Sequence, residues 1–244
     1  MKKSKTRLYF KDNLSLNKSI FIEEKQHHFL KNVLRVKVKD IISIFDGVTG
    51  EWLSEVISVN RDNTILQIKK KISEIKEETD LWLIFAPIKI FRLNITVQKA
   101  TELGVSKFVP CITQNTNQIK INIRNLQMNI IEATEQSERL TLPKLNEVVK
   151  LSDFLRDFPT DRCLIFCNEN DKKLPNIIKV LQSISKQYNK WAILVGPEGG
   201  FSESETKEIL SIPSAIPVSL GKRILRSDTA TTAALFSVQS FIEH

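Results

Sequence analysis

The stretch WAILVGPEGGFSESE, residues 191–205, decides the fold class of this chain. It begins with a continuous apolar run, which is typical of a strand buried on both faces. It ends with Ser202 and Glu205 at the spacing of a capping box, which predicts the start of a helix. The loop between them is Gly196-Pro197-Glu198-Gly199-Gly200-Phe201. A buried strand, a glycine-rich loop and a helix in succession predict one unit of a parallel α/β sheet.

The same alternation runs through the last two thirds of the chain. Further apolar runs read LWLIFAPI from Leu81, FVPCIT from Phe108, RCLIFC from Arg162 and AIPVSL from Ala215. Helical spacing of apolar residues predicts helices over 91–103, 125–140, 174–185, 202–209 and 229–242. We therefore expect a parallel sheet with helices on both faces over residues 74–244.

The first 73 residues have a different pattern. RLYF, IISIF, EWLSEVISV and TILQIKKKI are short strand-like runs separated by turn signals, with one helix expected over 23–33. This pattern predicts a small β-barrel. The polar stretch SEIKEETD, residues 73–80, is a plausible linker, so we divide the chain into domains 1–73 and 74–244.

Charge separates the two parts. The chain has 36 Lys and Arg against 28 Asp and Glu, and residues 1–73 contain 15 of these bases but only 8 of the acids. A basic module beside a nearly neutral one favours a docking surface for a polyanion, although a solvated basic face is the alternative.

The 41% hydrophobic content excludes a disordered chain. No apolar run approaches the ~20 residues of a membrane span, and the start MKKSKTRLYF lacks a secretory pattern, so we expect a cytoplasmic protein.

The glycine loop is not one of the common nucleotide motifs. Phe201 follows the last glycine where a P-loop has Lys, and the spacing of the dinucleotide pattern is absent. Glu198 in the loop disfavours a phosphate, so an uncharged or cationic ligand of the adenosine type fits better. A merely tight turn is the alternative.

A second strand-to-helix turn, LGKRILRSDTA, spans residues 220–230. Ile224 and Leu225 lie among three cations, which predicts an apolar wall beside a site, with Arg223 or Arg226 reaching an anion. A loop fixed by two aliphatic side chains is the alternative.

The three cysteines and three histidines are not spaced as metal ligands, so we expect no metal. Cys163 and Cys167 in one strand are ~13 Å apart, which is too far for a disulfide, so we expect free thiols.

These two turns resemble the signature loops of the RsmE-type RNA methyltransferases. HHFLKNVLRVKVKD at 27–40, QKATELGV at 98–105 and EATEQSER at 132–139 are similar to further segments of that family, in the same order. The resemblance implies a SPOUT-class α/β domain with a deep trefoil knot, preceded by a PUA-like β-barrel that binds RNA. It also implies a homodimer that uses S-adenosyl-L-methionine to methylate N3 of a uridine in small-subunit (16S) ribosomal RNA.

The resemblance also assigns roles to residues. The catalytic candidates are Arg226, to stabilise the uracil anion, and Glu198 and Asp228 as alternative bases. The expected cofactor-binding residues are Leu194, Val195, Gly196, Pro197, Glu198, Gly199, Gly200, Leu220, Gly221, Ile224, Leu225 and Arg226. The expected RNA contacts follow from charge and not from the resemblance, because binding a phosphate requires no particular motif. They are Arg7, Arg35, Lys37, Lys39 and Arg223, with Arg139 as an RNA or interface contact. Ser227 and Asp228 stand where the family usually has threonine and glutamate, which shortens the acid.

Two other functions fit the same sequence. A catalytically silent RNA-binding protein, such as a ribosome assembly factor, would keep the basic module but would not need two ligand-shaped loops. A SPOUT enzyme acting on a ribose hydroxyl or on a tRNA base is the nearer alternative. Cofactor binding separates the first from an enzyme, and mapping of the methylated position separates the second.

Overall fold

The computed structural model describes residues 4–117, 120–169, 171 and 173–242, and it divides into two compact units. The first unit contains the residues up to Glu77 together with Thr134–Leu142. The second contains Glu78–Ala133 and the chain from Pro143 onwards. No helix in the described ranges is long and apolar enough to cross a membrane.

The first unit is built on one five-stranded sheet. Its strands, in the spatial order β1-β3-β4-β5-β2, are Arg7–Tyr9 (β1), Ile41–Phe45 (β3), Glu51–Val59 (β4), Thr64–Ser73 (β5) and Ser19–Ile22 (β2). Helix α1, Glu24–His28, continues into a π-helical turn over Phe29–Val33. Four of the strands confirm the sequence prediction. Strand β2 was missed because SIFI is only four residues long.

Residues 134–142 join the first unit through Arg7. The Arg7 guanidinium pairs with Glu51 at 3.1 Å, donates to the carbonyls of Thr134 (3.0 Å) and Arg139, and stacks 3.8 Å from the Phe45 ring centre. Burial lowers the pKa of Arg7 against the opposing effect of Glu51. Because these contacts use the guanidinium internally, they indicate a structural role for Arg7, and its phosphate contact stays a prediction.

The second unit contains a parallel sheet, as the sequence predicts. Its main strands are Asp80–Phe85 (β6), Lys107–Ile112 (β7), Cys163–Cys167 (β10), Lys190–Val195 (β11) and Ala215–Val218 (β12), with the short strands Lys144–Leu145 (β8) and Val149–Lys150 (β9) against β7. The spatial order is β12-β10-β11-β6-β7-β8. The helices are Ile90–Glu102 (α2), Ile123–Gln136 (α3), Leu151–Arg156 (α4), Ile177–Ile184 (α5), Glu203–Leu210 (α6) and Ser227–Ile242 (α7). The trefoil knot remains a prediction.

Two local differences from the sequence prediction have simple causes. Helix α3 ends at Gln136 and not at residue 140, and Glu138 has a left-handed φ of 60°, which a continuing helix does not permit. Helix α4 has only six residues, too few for a periodic apolar pattern to stand out.

A buried arginine lies at the amino ends of the central strands. Arg162 is 2% exposed, donates to the carbonyls of Asp80 and Trp191 at 2.9 Å, pairs with the Asp80 carboxylate, and stacks 3.6 Å from the Trp82 ring centre. Partial burial acts to raise the pKa of Asp80, but the hydrogen bond and charge of Arg162 outweigh it, and the pKa of Asp80 is lowered.

We expect Arg162→Met to lower the free energy of unfolding by about 2–3 kcal/mol at pH 7, because it leaves two buried carbonyls and a carboxylate without their donor. Because the pKa of Asp80 is lowered in the folded state, its ionised carboxylate stabilises the fold at pH values above the unfolded-state pKa. This stabilisation is lost as the pH falls through the folded-state pKa. The difference between wild type and variant should therefore narrow below about pH 4. Urea unfolding at several pH values measures this.

Arg156→Met is the matched control. Arg156 makes one exposed pair with Asp153, three residues away on α4, and its side chain is 72% exposed. Its loss should change stability by no more than about 0.5 kcal/mol at any pH. An equal loss in both variants would contradict the structural role of Arg162.

Candidate functional site

A cavity of about 840 Å³ lies at the carboxyl ends of β10, β11 and β12 in the second unit. Its walls come from the loops that follow these strands and from the start of α2. Ligands of open α/β proteins bind at this edge of the sheet, and the volume lies in the usual range for small-molecule sites.

The first loop, Gly196–Phe201, is fixed by side chains from two other elements. The hydroxyl of Ser227, at the start of α7, donates to the carbonyl of Gly196 at 3.0 Å. The Asn115 amide donates to the carbonyls of Gly199 at 3.0 Å and Gly200 at 3.2 Å.

The capping box predicted after this loop is confirmed. The Ser202 hydroxyl accepts from the Glu205 amide at 3.2 Å, and the Glu205 carboxylate accepts from the Ser202 amide at 2.9 Å. The same carboxylate also accepts from the Gln114 amide at 2.7 Å. Because acceptors of the protein occupy the amino end of α6, an anionic ligand is not favoured there.

The second loop, Ser219–Arg226, is fixed at its first residue. The Ser219 amide donates to the Pro175 carbonyl at 2.9 Å, and the Ser219 carbonyl accepts from the Ile177 amide at 3.0 Å. Gly221 has φ +129°, and a Cβ built there has no neighbour within 4 Å. Only glycine adopts this φ readily, and Gly221 is one of the residues that line the cavity.

The structure brings most of the expected cofactor residues together. The cavity is lined by Val195, Gly196, Pro197, Glu198, Gly200, Leu220, Gly221, Ile224, Leu225 and Arg226, and also by Arg223. Two expected residues do not line it. Leu194 is 1% exposed and packs in the core behind the strand end, and the carbonyl of Gly199 points to Asn115. Both therefore support the cavity wall in this structure, and their contact with the cofactor stays a prediction.

The two candidate bases differ in their surroundings. Glu198 lines the cavity but pairs with Arg92 of α2, at 2.6 Å between Oε1 and Nη1. Asp228 lies outside the lining residues, while its neighbours Ser227 and Ala230 line the cavity. One carboxyl oxygen of Asp228, Oδ1, is buried and has no hydrogen-bond partner within the described residues.

Several residues of the site were missed from the sequence. Arg92, Asn115 and Ser219 are ordinary polar residues in their own segments and acquire their roles through contacts with distant loops. Cys167, the last residue of β10, and Glu169, two residues further on, also line the cavity. Burial raises the pKa of the Cys167 thiol to about 12, which makes it unreactive, and partial burial raises the pKa of Glu169.

The expected RNA contacts of the first unit lie largely on one exposed loop. Arg35, Lys37 and Lys39 are exposed and form no ion pair within the described part of the chain. The buried side chain of Val36 and the bond from the Lys37 amide to Asp40, at 2.7 Å, fix the loop. The three cations are therefore presented together. Arg139 belongs to segment 134–142, where its carbonyl accepts from Arg7.

Two known protein families match the sequence of this chain. The family described as "RNA methyltransferase domain" matches residues 76–239, and the family described as "RNA methyltransferase PUA domain" matches residues 22–69. The chain belongs to this family of RNA methyltransferases. All three cysteines are free, and no group of three potential metal ligands is found among the residues that the structure describes.

Individual relatives cover nearly the whole chain. A protein of Rickettsia conorii named ribosomal RNA small subunit methyltransferase E is 33% identical over 98% of this chain and 96% of its own length. A solved enzyme of the same name from Neisseria gonorrhoeae, bound to S-adenosyl methionine, has a TM-score of 0.85 at 26% identity, over 96% of this chain and 97% of that one. A putative methyltransferase of Legionella pneumophila, in complex with the same cofactor, has a TM-score of 0.82 at 26% identity and covers 98% of both chains.

Proposed function

We propose that this protein transfers the methyl group of S-adenosyl-L-methionine to N3 of a uridine in small-subunit (16S) ribosomal RNA. The observation that carries the proposal is the pair of fixed loops that face one cavity at the strand ends, in a chain of the RNA methyltransferase family. Full-length relatives are named for methylation of small-subunit rRNA, and similar structures hold this cofactor. The choice of N3 of uridine rests on the resemblance of the loops.

The residues present fit the cofactor. Val195, Val218, Leu220 and Leu225 offer apolar contacts, and the backbone at Gly221 leaves room for close approach. We assign the adenine to the wall formed by Ile224 and Leu225. The bound cofactor supplies an electrophilic methyl group on a sulfonium.

The protein's own residues must align and activate the uracil. In-line displacement requires the uracil nitrogen to be aligned with the methyl group. The fixed loops hold the cofactor in place beforehand, so little ordering is needed during the reaction. N3 becomes nucleophilic when it loses its proton, and the negative charge then spreads to the ring oxygens. Arg226, at the cavity wall, is our candidate for stabilising that charge.

A base near N3 would accept the proton. The carboxylate of Glu198 is paired with Arg92 in the protein without RNA, so it becomes available only if that pair is broken. Asp228 keeps an acceptor oxygen without a partner among the described residues, and it follows directly on Ser227 at the cavity. We therefore favour Asp228 as the base.

We assign RNA docking to domain 1–73 and cofactor binding and dimerisation to domain 74–244. Ile90, Phe91 and Ile95 on α2 and Phe236 on α7 are exposed apolar side chains, and α2 packs against α7. A second copy of the chain covering these side chains would give the homodimer that the resemblance implies. An rRNA substrate favours the cytoplasm as the site of the reaction.

We expect the triple variant Arg35→Ala, Lys37→Ala, Lys39→Ala to bind 16S rRNA more weakly. Each lost phosphate contact should reduce the slope of log affinity against log salt by roughly one. Cofactor affinity should hardly change, since none of the three residues lines the cavity. Filter binding across a range of KCl concentrations and calorimetric titration with the cofactor measure the two quantities.

Lys69→Ala, Lys70→Ala, Lys76→Ala removes the same charge from other exposed positions of the first unit. This control should reduce the slope much less. Equal slopes in the two triple variants would mean that net charge alone attracts the RNA and that the loop has no special role.

Methyl transfer to a 16S rRNA transcript and to isolated small subunits tests the proposed function. The labelled methyl group should be found on N3 of one uridine when the product is mapped at base resolution. A methylated ribose or a methylated tRNA base would establish a different SPOUT reaction. Absence of cofactor binding would favour a silent RNA-binding protein, because a bound ligand must stabilise the native state against heat.

A further inference from the structure

Cations line the cavity from two separate elements of the second unit. Lys89 and Arg92 come from the start of α2, while Lys222, Arg223 and Arg226 come from the loop after β12. The acids at the same cavity are Glu169, Asp171 and Glu198, so the lining has two more positive than negative charges. The resemblance gives neither Lys89 nor Arg92 an RNA contact.

The cofactor does not balance this charge. S-adenosyl-L-methionine carries a sulfonium and an ammonium against one carboxylate, so it adds positive charge when it binds. Its single carboxylate cannot offset both its own positive groups and the excess of cations in the lining. A polyanion crossing the mouth of the cavity supplies the missing negative charge, and the phosphates of an RNA strand fit this requirement.

The Arg92–Glu198 pair has the features of a contact that can be exchanged. It is the only hydrogen bond of the Arg92 side chain within the described part of the chain, and it uses one nitrogen of the guanidinium. The side chains of Arg92 and Glu198 are 26% and 43% exposed. Exposed pairs of this kind contribute little to stability, whereas a guanidinium can bind a phosphate through two parallel hydrogen bonds.

We propose that Arg92, supported by Lys89, binds a backbone phosphate of the substrate RNA at the mouth of the cavity, and that Glu198 holds Arg92 in place until the phosphate displaces it. The proposal rests on the proposed function in that RNA is the substrate. It also gives the acid of the glycine loop a role other than that of the base: Glu198 competes with the RNA for Arg92.

Two substitutions should change RNA affinity in opposite directions. Arg92→Ala should weaken binding of a 16S rRNA transcript about 3–10-fold and reduce the salt slope by roughly one. Glu198→Gln removes the competitor and should tighten binding about 2–5-fold. The double variant should behave like Arg92→Ala, since Glu198 acts on the RNA only through Arg92.

The controls separate folding, charge and cofactor effects. Arg156→Ala removes an equally charged, paired arginine on α4 and should leave both affinity and slope unchanged. Arg92→Gln removes the charge but keeps much of the side-chain length, so it should lose the same unit of slope and replaces Arg92→Ala if that variant does not fold. Calorimetric titration with the cofactor in the absence of RNA should give the same affinity for wild type and both Arg92 variants.

Three results would overturn the proposal. The first is weaker RNA binding by Glu198→Gln, and the second is an unchanged salt slope in Arg92→Ala. The third is a loss of cofactor affinity in Arg92→Ala, because it would assign Arg92 to the cofactor carboxylate. The proposed function fails separately, if the wild-type protein transfers no methyl group to 16S rRNA. The opposite shifts in RNA affinity can be measured in either case.

Discussion

Replacing Arg226 with alanine is expected to slow methyl transfer at saturating RNA by about 10²–10³-fold, which is the usual loss when one donor to a developing oxyanion is removed. Arg226 lines the cavity, is exposed to it and precedes the helix whose Ser227 fixes the first loop. A donor to the uracil anion acts mainly in the transition state, so RNA affinity should change much less than the rate. Single-turnover kinetics and equilibrium binding give the two numbers.

Arg223→Ala is the matched control on the same loop. Arg223 is exposed and lines the cavity, and we expect it to contact RNA, so its loss should weaken RNA binding and leave the single-turnover rate at saturating RNA nearly intact. Arg226→Lys should recover only part of the rate, because an ammonium lacks the planar pair of donors. If Arg226→Ala reduces RNA affinity as much as it reduces the rate, Arg226 is a docking residue.

The elements of the fold were predictable because their signals are local. IISIF and EWLSEVISV became strands at the expected residues, and the Ser202–Glu205 capping box formed as its spacing indicated. Continuous apolar runs placed β6, β10 and β11 in the interior of a parallel sheet. Each of these inferences needs only a few neighbouring residues.

The contacts that build the site were not predictable in the same way. Arg92 and Glu198 are 106 residues apart, and Asn115 lies 84 residues before Gly199. Nothing in the segment around Arg92 distinguishes it from an ordinary solvated arginine at a helix start. The sequence could place the two glycine loops at one sheet edge, because parallel strands share their carboxyl ends, but the pairing of side chains depends on the folded geometry.

The division into units shows the same limit. The sequence predicts a linker at residues 73–80, and the first unit includes the residues up to Glu77. Thr134–Leu142 also belongs to that unit, although it follows a helix of the second one. Its membership depends on Arg7 and on the bond from the Tyr9 amide to Glu135, at 2.9 Å, which join positions more than 120 residues apart. Sequence periodicity contains no information on such contacts.

Gly221→Val is expected to reduce cofactor affinity by about 100-fold or more, equivalent to about 2.7 kcal/mol. Gly221 lines the cavity with φ +129°, and a Cβ there projects into space with no protein atom within 4 Å. A valine side chain would occupy part of the space assigned to the cofactor, and it would strain the loop because branched side chains avoid this φ. Calorimetric titration with S-adenosyl-L-methionine measures the loss, and methyl transfer should fall with it.

The strain itself has to be separated from the loss of space. Gly47 of the first unit also has a positive φ, of 80°, and a Cβ there lies 3.7 Å from the nearest atom, so Gly47→Val introduces comparable strain far along the chain from the cofactor loops. This control should lose stability but keep its cofactor affinity. Gly221→Val should instead keep its RNA affinity and salt slope, since residue 221 has no charged side chain that a phosphate could bind. Normal cofactor binding by Gly221→Val would contradict the assignment of the cavity to the cofactor, whatever its effect on stability.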